Sequence, residues 1–114
     1  MVTVYGIKNC DTVKKACRKL DALGVDYTFH DYKKSGVESA TLEAWIAECG
    51  IDVLINKRGT TWRKLPESTR DSLDATSSVA VMQEHTSVIK RPVIEHSGAL
   101  IVGFDEDLYD STFG

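Results

Sequence analysis

The chain has 114 residues, 27% of them charged, and a formal net charge of −3. That length suits one domain with one core, and the acidic balance leaves no broad basic surface for nucleic acid. No apolar run approaches membrane-spanning length. No charged-then-apolar leader precedes the first strand, so the expected location is cytoplasmic.

The first strand is predicted over about 2–6, where Val2, Val4 and Tyr5 are β-branched or aromatic. Gly6 breaks it. From Asp11 the composition turns helical, with Asp11 or Thr12 able to cap. A first helix is predicted over roughly 11–23, with Val13, Ala16, Cys17, Leu20 and Leu23 on one apolar face and Gly24 as its terminator. Alternation over 26–32 predicts a second strand. Strand, helix and strand in this order form a βαβ unit with parallel strands.

The middle, about 36–86, reads as a helical insertion. Ser39 or Thr41 is placed to cap a helix carrying Leu42, Trp45, Ile46 and Cys49. Gly50 ends it, and Asp52 starts a short turn. Residues 57–61 form a polar loop. Trp62 and Leu65 lie on a helical turn before Pro66, and residues 76–78 open a further helix that closes at His85 and Thr86. Strands return after Pro92: residues 93–96, a Ser97-Gly98 turn, then 99–102 as a hairpin. Asp105, Glu106 and Asp107 start a terminal helix, where acidic residues suit the dipole. No repeat or low-complexity linker interrupts the chain, so 1–114 is expected to be a single domain.

Cys10 stands where the first strand ends and the first helix begins. The first amides of a helix have no intrahelical partners, and the dipole adds positive charge there. Both stabilise a thiolate. The amides of Asp11, Thr12 and Val13 supply this effect, and Lys8 adds a cation. The polar neighbours of Cys10 set it apart from a core cysteine. Val13 occupies the position three residues on, so there is no CxxC dithiol. Cys17 lies two turns along the same helix, about 10 Å of rise away, too far for a disulfide without unwinding. Cys17 and Cys49 are read as core residues, with a resolving role after a large movement as the alternative for Cys49. Three cysteines at irregular spacing build neither a disulfide framework nor a zinc site. His30, His85 and His96 share no ligand spacing, and no metal site is expected. Trp45 and Trp62 are read as core anchors.

Arg58 sits in a Gly/Thr loop rather than on a helix face. Arg91 precedes Pro92, and an X-Pro bond ahead of a strand is compatible with a cis peptide. Guanidinium forks stay charged and bind planar or tetrahedral anions with two donors. Sequence distance alone puts neither arginine beside Cys10.

The segment Tyr5-Gly6-Ile7-Lys8-Asn9-Cys10-Asp11-Thr12-Val13-Lys14-Lys15-Ala16 resembles the active-site segment of the ArsC/Spx family, most closely its YffB-like branch. Residues 56–65 look like the central segment of that branch, and residues 89–94 like its arginine–proline segment. The three occur in family order. Pattern alone gives a mixed α/β sheet; the resemblance implies a thioredoxin-like fold (βαβ, then ββα) interrupted by the helical insertion. It also implies an oxidoreductase: a glutathione-dependent thiol reductase, or a glutathione- and glutaredoxin-linked arsenate reductase. In that scheme Cys10 is the nucleophile, Arg58 contacts the oxyanion, and Arg91 and Pro92 form the arginine–proline site. Glutathione acts as co-substrate with no bound cofactor, and glutaredoxin is the further partner. A monomer is expected.

Three departures matter. Arsenate reductases of the family carry a histidine where this chain has Gly6. They have another arginine after the last hairpin, where this chain has none. Spx-type regulators, which bind RNA polymerase, often use a CxxC switch that Val13 removes. An anion site with fewer cations holds arsenate less well, so thiol reduction is the leading expectation. Arsenate reduction and Spx-like regulation are the alternatives.

Overall fold

A computed structural model describes residues 2–114. Its elements run β1 (Val2–Gly6), α1 (Asp11–Ala22), β2 (Tyr27–Asp31), α2 (Tyr32–Ser35), α3 (Ser39–Cys49), α4 (Ile51–Leu54), α5 (Thr60–Lys64), α6 (Glu67–Asp71) and α7 (Ala75–Glu84). A 3₁₀ turn (Thr86–Val88), β3 (Val93–His96), β4 (Ala99–Val102) and α8 (Glu106–Phe113) complete the chain. The predicted strands and the main helices fall within a residue or two of these bounds. The short helices α2 and α6 were not anticipated; each is only one turn, too short to show a 3.6-residue repeat.

The chain divides into two compact units. One comprises the chain up to Ser35 with Arg91–Gly114; the other is Gly36–Lys90. The first holds a four-stranded sheet in the order β2-β1-β3-β4. β1 pairs parallel with β2, and antiparallel with β3, which pairs antiparallel with β4. This is a mixed α/β sheet of thioredoxin-like type. Val2, Val4, Ile94 and Ile101 from the sheet pack with Ala16 and Leu20 of α1 and Tyr109 of α8. The alternating burial of β1 follows from its period of two. Cys17 and Leu23, half-buried, pack at the edge of this core. Gly24 ends α1 at φ +74. Its amide donates to Asp21 O and that of Val25 to Leu20 O, the paired bonds of a Schellman terminus.

In the second unit α3 lies against α7, and Leu42, Trp45, Leu54, Trp62 and Met82 are buried. Trp62 is therefore an anchor as expected. The Lys57 ammonium stands 5.8 Å from the centre of its ring. Helix starts differ from the predicted ones. Glu38 occupies the cap position of α3 and Gly50 that of α4. Asp74 caps α7 through a reciprocal bond with Ser77, because its carboxylate reaches the free amide three residues on.

Leu20 is fully buried in the first unit. Leu20→Ala should lower unfolding free energy by about 2–5 kcal/mol, measured by urea denaturation.

Candidate functional site

The site begins at the seam between β1 and α1. Lys8 and Asn9 form an exposed turn, and Cys10 follows in extended conformation (φ −128, ψ 126) as the N-cap residue of α1. Its carbonyl accepts the first helical bond, from Lys14 N at 2.9 Å. The cap is thus the cysteine itself rather than Asp11 or Thr12. The thiol stands at the free amides of the first turn.

Cys10 is half-buried. Burial pushes its thiol up, but three favourable partners outweigh it: the Val13 amide, the Arg91 guanidinium and the Thr12 amide. The net effect holds Cys10 below its ordinary thiol value. Lys8 and Asp11 are both exposed beside it.

Arg91 reaches Cys10 through sheet register. β3 runs antiparallel to β1 with Val93 opposite Tyr5. The two residues before Val93 therefore pass the end of β1, where the Cys10 turn begins. The Arg91–Pro92 bond is cis. Pro92 is buried, and its carbonyl accepts from Gly103 N at 2.8 Å.

Tyr32, read from the sequence as the end of the second strand, opens α2 instead, and no role at the site was expected of it. It is 1% exposed, and burial pushes its phenol up while the Arg91 charge opposes that rise. The signal was available in principle. Asp31 is the last residue of β2 and pairs with Gly6, so the next residue emerges at the same end of the sheet as the Cys10 turn. Tyr5, one strand over, donates to Glu95 Oε1 at 2.8 Å and packs its ring 4.8 Å from that of His30.

Arg58 belongs to the helical unit. It is exposed in a turn where its amide donates to Asn56 Oδ1 at 3.2 Å and its carbonyl accepts from Arg63 Nη2 at 2.9 Å. The other cysteines differ from Cys10. Cys17 packs at the core edge. Cys49 is half-buried rather than a full core residue; its thiol donates to Trp45 O at 3.2 Å, and burial together with Glu48 pushes it up.

Gly6 and Val13 form one steric unit. A Cβ at Gly6 would lie 2.9 Å from Val13 Cγ2, and the branched valine cannot swing away easily. A side chain at position 6, histidine included, therefore requires Val13 to shift. Gly6→Ala should destabilise the chain by about 1–3 kcal/mol. The same change in a Val13→Ala background should cost less, a coupling that urea denaturation of the four variants would measure. Arg91→Gln should shift Cys10 alkylation to higher pH, because a cation stabilising the thiolate is lost; rates followed against pH check this.

The ArsC family model matches residues 5–112. An uncharacterized protein of Haemophilus influenzae is 45% identical over 113 residues, covering 99% of each chain. The solved YFFB protein is 43% identical, with a TM-score of 0.96 and full coverage of both chains. An arsenate reductase (ArsC) related protein from Brucella melitensis is 49% identical, with a TM-score of 0.78 over 98% of this chain and 93% of its own. The match spans the Cys10 turn, the helical unit and the Arg91–Pro92 segment alike: this chain belongs to the ArsC family.

Proposed function

We propose that the chain is a thiol reductase with one nucleophilic cysteine, Cys10, and glutathione as its second thiol. The observation that carries this reading is the half-buried Cys10 at the N-cap of α1 with Arg91 beside it, held below its ordinary thiol value. A thiolate at neutral pH is the form that attacks sulfur.

In the proposed reaction the Cys10 thiolate attacks one sulfur of a disulfide. A Cys10–substrate bond forms, the substrate S–S bond breaks, and one thiolate leaves. A glutathione thiolate then attacks the Cys10 sulfur and releases the second substrate thiol. A second glutathione attacks the glutathione sulfur of the resulting mixed disulfide. Oxidised glutathione leaves and Cys10 returns as thiolate. Per substrate disulfide, two glutathiones are oxidised and two thiols form. The amides of Thr12 and Val13 and the Arg91 guanidinium stabilise each departing Cys10 thiolate. Arg58 and Arg91 are assigned to glutathione carboxylates or an oxyanion.

A solution thiol is assigned this role because Val13 stands where a CxxC has its second cysteine, Cys17 packs at the core edge and the Cys49 thiol donates to Trp45 O. Val13 also weighs against an Spx-like switch. Arsenate reduction is disfavoured because the chain has no lysine or arginine after Arg91 to complete a tetrahedral anion site. Failure to rescue growth of an arsenate-sensitive strain would agree with that.

Cys10→Ser should abolish glutathione-dependent reduction of hydroxyethyl disulfide, whereas Cys17→Ser and Cys49→Ser should retain it. Full activity in Cys10→Ser would overturn the proposal.

A further inference from the structure

The helical unit carries a cleft of about 530 Å³, lined in part by Arg70, Asp71, Cys49, Ile51 and Leu73. All of its lining lies within Gly36–Lys90. Its volume falls in the range of small-ligand pockets.

Arg70 is the unusual element. Its Nε is buried with no hydrogen-bond partner, and among the described residues its guanidinium makes no ion pair. A buried donor left unmade is unfavourable, and in native proteins such groups are met by an acceptor. The neighbouring cation, Lys57, is already committed: its Nζ lies 3.1 Å from Asp52 Oδ1. Asp71, adjacent to Arg70 on α6, is exposed and likewise forms no ion pair among the described residues. Arg70 and Asp71 are consecutive on α6, where neighbouring side chains do not pair directly, yet both line the cleft.

The cleft therefore offers a guanidinium whose Nε is buried and unpartnered, an exposed carboxylate in no ion pair among the described residues, and an apolar wall. The Lys57–Asp52 pair also lines it, so its charges sum to zero and a simple anion gains no net attraction. Cys49 is a wall rather than a nucleophile: its proton is donated to Trp45 O, and burial keeps the thiol form.

We propose that this cleft binds a small zwitterion with an apolar body, its carboxylate on the Arg70 guanidinium and its ammonium on Asp71. A free amino acid with an aliphatic side chain, or a short peptide, has this chemistry. The fork geometry of guanidinium matches a carboxylate with two parallel donors, and Ile51 and Leu73 cover the aliphatic part. None of the cleft's lining residues is assigned a role in the Cys10 reaction.

The test titrates L-leucine, and separately the dipeptide alanyl-leucine, into the full-length isotope-labelled chain. The expected result is a saturable shift of the Arg70 Nε–H resonance, with parallel protection of Cys49 from alkylation as read by peptide mapping. Cys10 alkylation should be unchanged. Whichever zwitterion binds more tightly identifies the source. Two mimics that each lack one charge, 4-methylvalerate and isopentylamine, should bind roughly tenfold or more weakly. Arg70→Gln should lose binding. Arg70→Lys, which keeps the charge and most of the stem, should weaken it with an unchanged circular dichroism spectrum. The proposal is overturned if neither zwitterion gives a saturable shift at millimolar concentration. It is equally overturned if 4-methylvalerate binds as well as L-leucine, or if folded Arg70 variants bind like the parent.

Discussion

The close approach of β1 to α1 governs this molecule. Gly6 has no side chain because Val13 fills the space where one would be. Beyond that contact the chain reaches Cys10 at the N-cap of α1, where the amides of Thr12 and Val13 favour its thiolate. The same valine removes a second cysteine from the motif. Val13 thus packs against the strand with its side chain and favours the thiolate with its amide.

The electrostatics of the thiol follow from competition. Partial burial favours the neutral form, and the amides together with Arg91 favour the charged one. The second group prevails because a helix start supplies donors already fixed in place, and a guanidinium stays charged at any physiological pH. The contribution of Arg91 depends on strand pairing. It stands beside Cys10 only because β3 enters the sheet antiparallel to β1, in a register that carries residues 91 and 92 past the end of that strand. A shift of one residue would turn every β3 side chain to the other face of the sheet.

Much of the architecture was legible in local pattern. The apolar face of α1, the alternation of β1, the Ser97-Gly98 turn and the acidic start of α8 are strong local signals, and each lies where its residues predict. The misses have a common cause. Helix caps went to Cys10, Glu38 and Gly50 where Asp11 or Thr12, Ser39 or Thr41, and Asp52 were expected, since the exact first residue is settled by how the chain enters the helix. Cys49 was read as core from its helical spacing, yet α3 leaves it half-buried on a cleft wall. Spacing defines a face of a helix but not what covers it.

The sequence by itself determined that a cysteine sits at a strand–helix junction without a CxxC partner, and its family segments marked Arg58 and Arg91 as the cations of interest. Only the tertiary structure decided that Arg91 meets the thiol, that Tyr32 is buried within reach of the Arg91 charge, and that Val13 crowds any side chain at position 6. It also decided that Arg70 is left with a buried, unpartnered nitrogen. The reason is physical. Caps, periodicity and turns are properties of neighbouring residues, whereas the field at a thiol and the fate of a buried donor depend on groups that strand register and helix packing bring together across the chain.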